Sequence, residues 1–177
     1  MAICKLNKDL LRSTSCGFSL PEIVDIYLAN YDEINVESGT TTSGDTSGCT
    51  AITAITSAAT FYHIEPQKGS ASFEDTLVVE DNGSRYRHAQ ITFSIPGSYD
   101  NCKVGVLEAL SLGRYFAVIK TADGNYLGFG RISPLEAETV TLAGGSDTNG
   151  MQVVLSGNVA EAPLPLSAEA VATVTGA

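Results

Sequence analysis

The stretch that most limits what this chain can become is the Asp81-Asn82-Gly83 turn, set between two alternating runs, Thr76–Glu80 and Gln90–Ile95. Asn and Gly accept the positive φ that a tight reversal demands. Period-two alternation turns one face of each run to a core and the other to water. A hairpin is predicted there. The pattern returns in RYFAVIKTADGNYLGFGRI, two aromatic and aliphatic runs about an Asp123-Gly124 turn, which predicts a second hairpin. Between the two, NCKVGVLEALSLG changes period: Val104, Leu107, Ala109, Leu110 and Leu112 crowd helical spacings. The Asp100-Asn101 pair offers an N-cap and Gly113 a stop, so a helix is predicted over about 100–112.

Elsewhere the pattern is less regular. KLNKDLLR near the start reads as one or two helical turns, broken at Gly17 and Pro21. EIVDIYLANYDEINV, residues 22–36, places Ile23, Asp25, Tyr27 and Ala29 on one face of a strand and Val24, Ile26 and Leu28 on the other. A strand is predicted, with a helix joining Ile23, Ile26 and Tyr27 as the alternative. Residues 37–60 are dominated by Thr, Ser, Gly and Ala, which bury too little to fix their own backbone. A long flexible loop over about 37–51 follows as a candidate contact surface, with strand character resuming in AITAIT. ETVTLA and MQVVLSGNV read as strands either side of the GGSDTNG loop. The expected organisation is one domain over 1–160 and an extended C-terminal arm over 161–177, where Pro163 and Pro165 interrupt any regular element.

Composition removes several classes of function. A chain of 177 residues and 18.5 kDa with 44% hydrophobic and 17% charged residues has the size and balance of one folded domain. It carries 20 acids against 10 Lys and Arg, and past Arg131 the only charged residues are Glu136, Glu138, Asp147, Glu161 and Glu169. Gripping nucleic acid needs clustered cations, and the sequence has no such cluster. Cysteines stand at 4, 16, 49 and 102, without a CxxC pair or a nearby histidine, which favours reduced, packed thiols over zinc ligands. The first residues show no secretory leader and no apolar run is long enough to cross a bilayer, so synthesis in the cytoplasm and a soluble product are expected. Asn82-Gly83-Ser84 matches a glycosylation sequon but reads better as a turn.

The motifs that could carry chemistry each lack a part. Asp147, Asn149 and Gly150 imitate the start of a calcium loop, yet the twelfth position is Asn158 where the bidentate glutamate belongs. No Lys-Ser/Thr pair follows the glycines, as a phosphate cradle would need. Gly128-Phe129-Gly130 begins a GxGxxG, but Ser133 and Pro134 end it, so these glycines mark a bulge or a close backbone contact. No GxSxG is present; only His63 and His88 could act as bases, and each sits among ordinary strand residues. Glu74-Asp75, Glu80-Asp81 and Glu136/Glu138 read as solvated strand ends. No enzyme, cofactor or metal site is expected.

The order of elements carries a resemblance. VGVLEALSLGRYFAVIKTADGNYLGFGRISPLEAETVTLAGGSDTNGMQVVLSGNVAEAP resembles the C-terminal half of bacteriophage tail tube proteins, and GFSLPEIVDIYLANYDEI with the strand-rich 61–95 is similar to their opening. The resemblance implies a mainly β fold, an antiparallel β-sandwich or barrel with one flanking α-helix. Protomers of that fold join sheets into rings, hexameric in the family, which stack into the virion tail tube that conducts the genome. It implies a flexible loop and terminal arms that order on stacking, so Gly39, Thr41, Gly44, Asp45, Gly48, Gly144, Gly145, Gly150, Pro163 and Pro165 become candidate contacts between protomers. The partners implied are further copies of the chain and other tail or head-tail proteins, with DNA passing the lumen unbound and no membrane involved. An acidic chain suits a conduit for a polyanion. Residues 1–16 and the length of the Thr/Ser tract have no counterpart in the family, which leaves a connector or terminator ring of the same fold as one alternative. A β-sandwich binding module displaying Tyr62, Tyr86, Tyr99, Tyr115 and Tyr126 is another.

Overall fold

A computed structural model describes residues 22–40, 50–56, 60–97, 101–145 and 149–176. The strand with most to bury is β7, Arg114–Thr121, whose residues 115–119 are all buried. Such an unbroken apolar run suits a strand covered on both faces. Tyr115, Ala117 and Ile119 enter one core, and Phe116 and Val118 enter a second.

The first core lies between two groups of antiparallel strands. One group is β5 (Ser72–Val79), β6 (Arg85–Pro96), β10 (Asn149–Val159) and β9 (Leu135–Gly144), paired in that spatial order. The other is β8 (Tyr126–Phe129), β7, β1 (Ile23–Asn30) and β4 (Tyr62–Ile64). The groups join where Arg114 and Tyr115 pair with Glu136 and Leu135, and with a short ninth strand beside β8 they make one sheet of nine described strands. Ile91 and Phe93 of β6 and Val153 and Leu155 of β10 pack with Ile26, Leu28, Ile119 and Phe129. Each fully buried Ile, Leu, Val or Phe is worth about 1.5–3 kcal/mol. Among the described residues the sheet does not close on itself, since β5 and β11 (Leu164–Pro165) end its path.

The second core covers the opposite face of β7. It is roofed by the β2–β3 hairpin (Val36–Thr40 and Thr50–Ile55) and by helix α2 (Ala168–Thr175). Gly128 makes this closeness possible: a Cβ there would lie 2.5 Å from the Cδ1 of fully buried Ile52 and 3.1 Å from Phe116 Cζ.

Both predicted hairpins form. Gly83 and Gly124 each hold φ 83°, and the reversals close through Glu80 N–H to Ser84 O and Thr121 N–H to Asn125 O, both 2.9 Å. The predicted helix is α1, Asn101–Leu112. Its expected cap at Asp100, residues 1–21 and the calcium-like Asp147 lie outside the described residues.

Three expectations are corrected. The strand over 22–36 stops at Asn30, where a 3-10 turn (Tyr31–Glu33) redirects the chain; Tyr31 Oη pins it by donating to Ile132 O at 2.7 Å. The loop expected over 37–51 is strand at both ends, since β2 runs to Thr40 and β3 begins at Thr50; residues 41–49 lie outside the described set. The extended arm over 161–177 is instead part of the fold. Leu164 and Pro165 pair with Gly128 and Leu127, Ser167 N–H donates to Ile52 O at 2.8 Å, and α2 follows as a second helix. Ser167 Oγ accepts from Ala170 N–H to cap α2, Gly176 stops it at φ 70°, and Ala170 and Val174, four apart, are buried. Burying that pair holds a segment whose prolines alone suggested a free arm.

Candidate assembly surface

Strand alternation fixes what the first group of strands shows to solvent. The odd residues of β5, β6 and β10 face the core. The even ones face out in registered rows: Thr76–His88–Asn158, Glu74–Gln90–Ser156–Glu136, Ser72–Thr92–Val154–Thr139 and Ser94–Gln152–Thr141. A bulge in β9, opposite Val154 and Leu155, leaves Glu138 without a ladder partner, and Glu136, Glu138 and Thr139 are all exposed. Gln90 Nε2 donates to Glu138 Oε2 at 3.1 Å, Thr76 Oγ1 to Glu74 Oε1 at 3.0 Å and His88 Nδ1 to Asn158 Oδ1 at 3.1 Å. The result is a four-stranded face dominated by hydroxyls and amides and crossed by an acidic band, with no Lys or Arg on it among the described residues.

The cations that the structure describes are largely engaged elsewhere. Arg87 meets Asp75, Arg114 meets Asp32, Lys120 meets Asp25 and Arg131 forks onto Glu161, with two contacts of 2.6 Å in the last pair. The hydrogen bond that Arg87 donates to the Asp75 carboxylate outweighs burial and pushes the guanidinium above its ordinary value. Asp75 Oδ1 is buried with no hydrogen-bond partner among the described residues.

Strand β5 bounds the polar face and, among the described residues, pairs on one side only, with β6. No described strand pairs its other edge, and Phe73, Leu77 and Val79 are 40%, 55% and 57% exposed. Phe73 keeps an edge contact on Phe129, with ring centroids 5.4 Å apart, so the first core fades out along this strand.

One titratable cluster lies apart from that face. Asp25 accepts from His63 Nε2 at 2.8 Å and Lys120 Nζ at 3.1 Å, the His63 ring stacks on Tyr27 at 4.9 Å, and Lys120 lies over the Tyr126 ring. Burial pushes the Asp25 carboxyl up, but the hydrogen bonds from His63 and Lys120 together outweigh it and hold the group below its ordinary value. The cluster ties β4 and β7 to β1.

The residues singled out from the sequence do not gather. Gly39 is inside β2, paired with Ala51; Gly144 ends β9, and Gly145 follows it at the exposed edge of the hairpin. Thr41, Gly44, Asp45 and Gly48 lie outside the described residues. Gly150 has a reason within its own chain: at φ 137° its Cβ would run into Ile95 O of β6. Pro163 lines a recess with Arg131 and Glu161 that has room for no more than a water molecule, and Pro165 pairs with Leu127. Glu74 and Asp75 face opposite sides of β5, whereas Glu136 and Glu138 share the acidic band. The tyrosines of a binding module are dispersed too. Tyr115 is buried and donates to Ala109 O at 2.9 Å, Tyr126 borders the second core, Tyr86 donates to Glu80, and Tyr62 stands exposed on β4. Tyr99 lies outside the described residues. Reading the band in advance required the register between β5, β6, β10 and β9, which single-strand alternation does not supply. Among the described residues no three His, Cys, Asp or Glu side chains converge as a metal site requires, and no helix is long and apolar enough to cross a membrane. No protein-family model, curated protein or solved structure matches this chain.

Proposed function

We propose that this chain is a structural, non-enzymatic virion protein whose copies join edge to edge into rings that stack into a phage tail tube. In this reading the two strand groups form a tail-tube-like β-sandwich, and the acidic face of β5, β6, β10 and β9 lines the lumen. The face itself carries the reading. A surface of hydroxyls, amides and carboxylates, without cations, offers phosphates no counterion to displace, so a duplex passes without sticking. Its flank, β5, has the unpaired edge that ring formation consumes. A connector or terminator ring of the same fold uses the same two features and differs in not stacking. The scattered tyrosines give a carbohydrate-type or peptide-type aromatic platform no support.

Reversing the band tests the assignment. Assemblies carrying Glu74→Lys, Glu136→Lys and Glu138→Lys are expected to retain linear duplex DNA and to exclude covalently closed circles, which cannot thread a preformed lumen. Equal retention of both forms would place the face outside and refute the reading.

A further inference from the structure

Ten large hydrophobic side chains are exposed among the described residues, and six of them fall in two places: Phe73, Leu77 and Val79 on β5, and Val104, Val106 and Leu112 on α1. A concentration of this kind marks a contact surface. Leu77 and Val79 face the same side as the first core but extend past it; their cross-strand partners are Arg87, held by Asp75, and Arg85. Arg85 is exposed and makes no ion pair among the described residues. Glu80 stays off this side, held by Tyr86 Oη at 2.8 Å on the opposite face.

On α1, Leu110 is buried and Leu107 half-buried, so the helix packs inward through that side. Val104, Glu108 and Leu112, at spacings of four, form an exposed stripe elsewhere on the helix. The stripe spans about 12 Å, and the β5 segment from Phe73 to Val79 about 20 Å. Glu108 makes no ion pair among the described residues either. α1 packs beside β9, three strands away from β5, so the two patches cannot meet within one chain.

We infer that the β5–β6 overhang of one copy docks on the α1 stripe of the next, with Leu77 and Val79 against Val104 and Leu112 and Arg85 paired with Glu108. The inference rests on the self-assembly reading and names the surfaces that join the copies. Apolar–charge–apolar meets apolar–cation, and because the two patches differ the contact is head-to-tail, the kind that closes rings or extends filaments.

Sedimentation of the full chain over a concentration series tests this. Arg85→Glu and Glu108→Arg are each expected to raise the concentration for half-association several-fold to about tenfold, with unchanged thermal melts because both sites are exposed. An equimolar mixture of the two variants restores association, since each mutant surface then meets its complement. Leu112→Ser, at a side chain 84% exposed, is expected to weaken association by about tenfold or more without loss of fold. Variants that associate like wild type, or a mixture no better than its parts, would overturn this contact while leaving rings intact. Filaments or dimers that depend on Arg85 and Glu108 but never enclose a lumen would support the contact and refute the tube. A wild-type chain that stays monomeric would overturn both.

Discussion

Asp25 is the residue on which three strands depend, since its carboxylate holds His63 of β4 and Lys120 of β7 against β1. Its carboxyl lies below the ordinary 3.8, so its contribution is present above that value and is given up as pH falls through the lower folded value. Wild type is therefore expected to lose stability below about pH 4 more steeply than Asp25→Asn, as read from urea midpoints at about pH 3 and about pH 6. Equal losses in the two proteins would show that the cluster does not couple to folding. Gly150 is the second such residue. Gly150→Ala forces a side chain onto Ile95 O at a φ that only glycine tolerates, and is expected to cost about 1–3 kcal/mol in a denaturant midpoint. The sequence places it in the GGSDTNG loop, whereas it lies inside β10, paired with Pro96 and Ala143, and the neighbour that forbids a Cβ comes from β6, more than fifty positions away, which no local pattern shows.

Elements were legible where one local signal decided them. The Asp-Asn-Gly and Asp-Gly turns needed positive φ, and the aliphatic spacing of NCKVGVLEALSL needed a helix; β5–β6, β7–β8 and α1 follow. Helix α2 was hidden because Pro163 and Pro165 dominate the reading of the tail, while its own signals, Ser167 as cap, Gly176 as stop and Ala170/Val174 as buried pair, are short. Its docking partner, β3, is far away in sequence. Ser167→Ala removes the cap and the bond from Ser167 Oγ to Thr53 O at 3.1 Å, and is expected to cost about 1–2 kcal/mol. Val174→Ala leaves a small void against the second core and is expected to cost about 2 kcal/mol, mostly buried CH₂. Both losses appear in the same thermal transition if the tail folds with the domain. A separate low-temperature transition would mean that it is an independent arm after all.

At the scale of the molecule, the described residues show an edge strand paired on one side, two separate apolar patches and a sheet face without Lys or Arg, the features on which the proposed assembly rests. The sheet's open path, ending at β5, explains why alternation alone forecast antiparallel β without saying where its free edge lies: pairing order depends on which strands meet, and β7 serves β1, β8 and β9 together. The measurement that tests this most directly is the mass and shape of the purified full chain, by light scattering and negative-stain microscopy over a concentration series. Closed rings or hollow tubes with a stain-filled lumen are the predicted result. A compact particle with the mass of one chain at every concentration would contradict it.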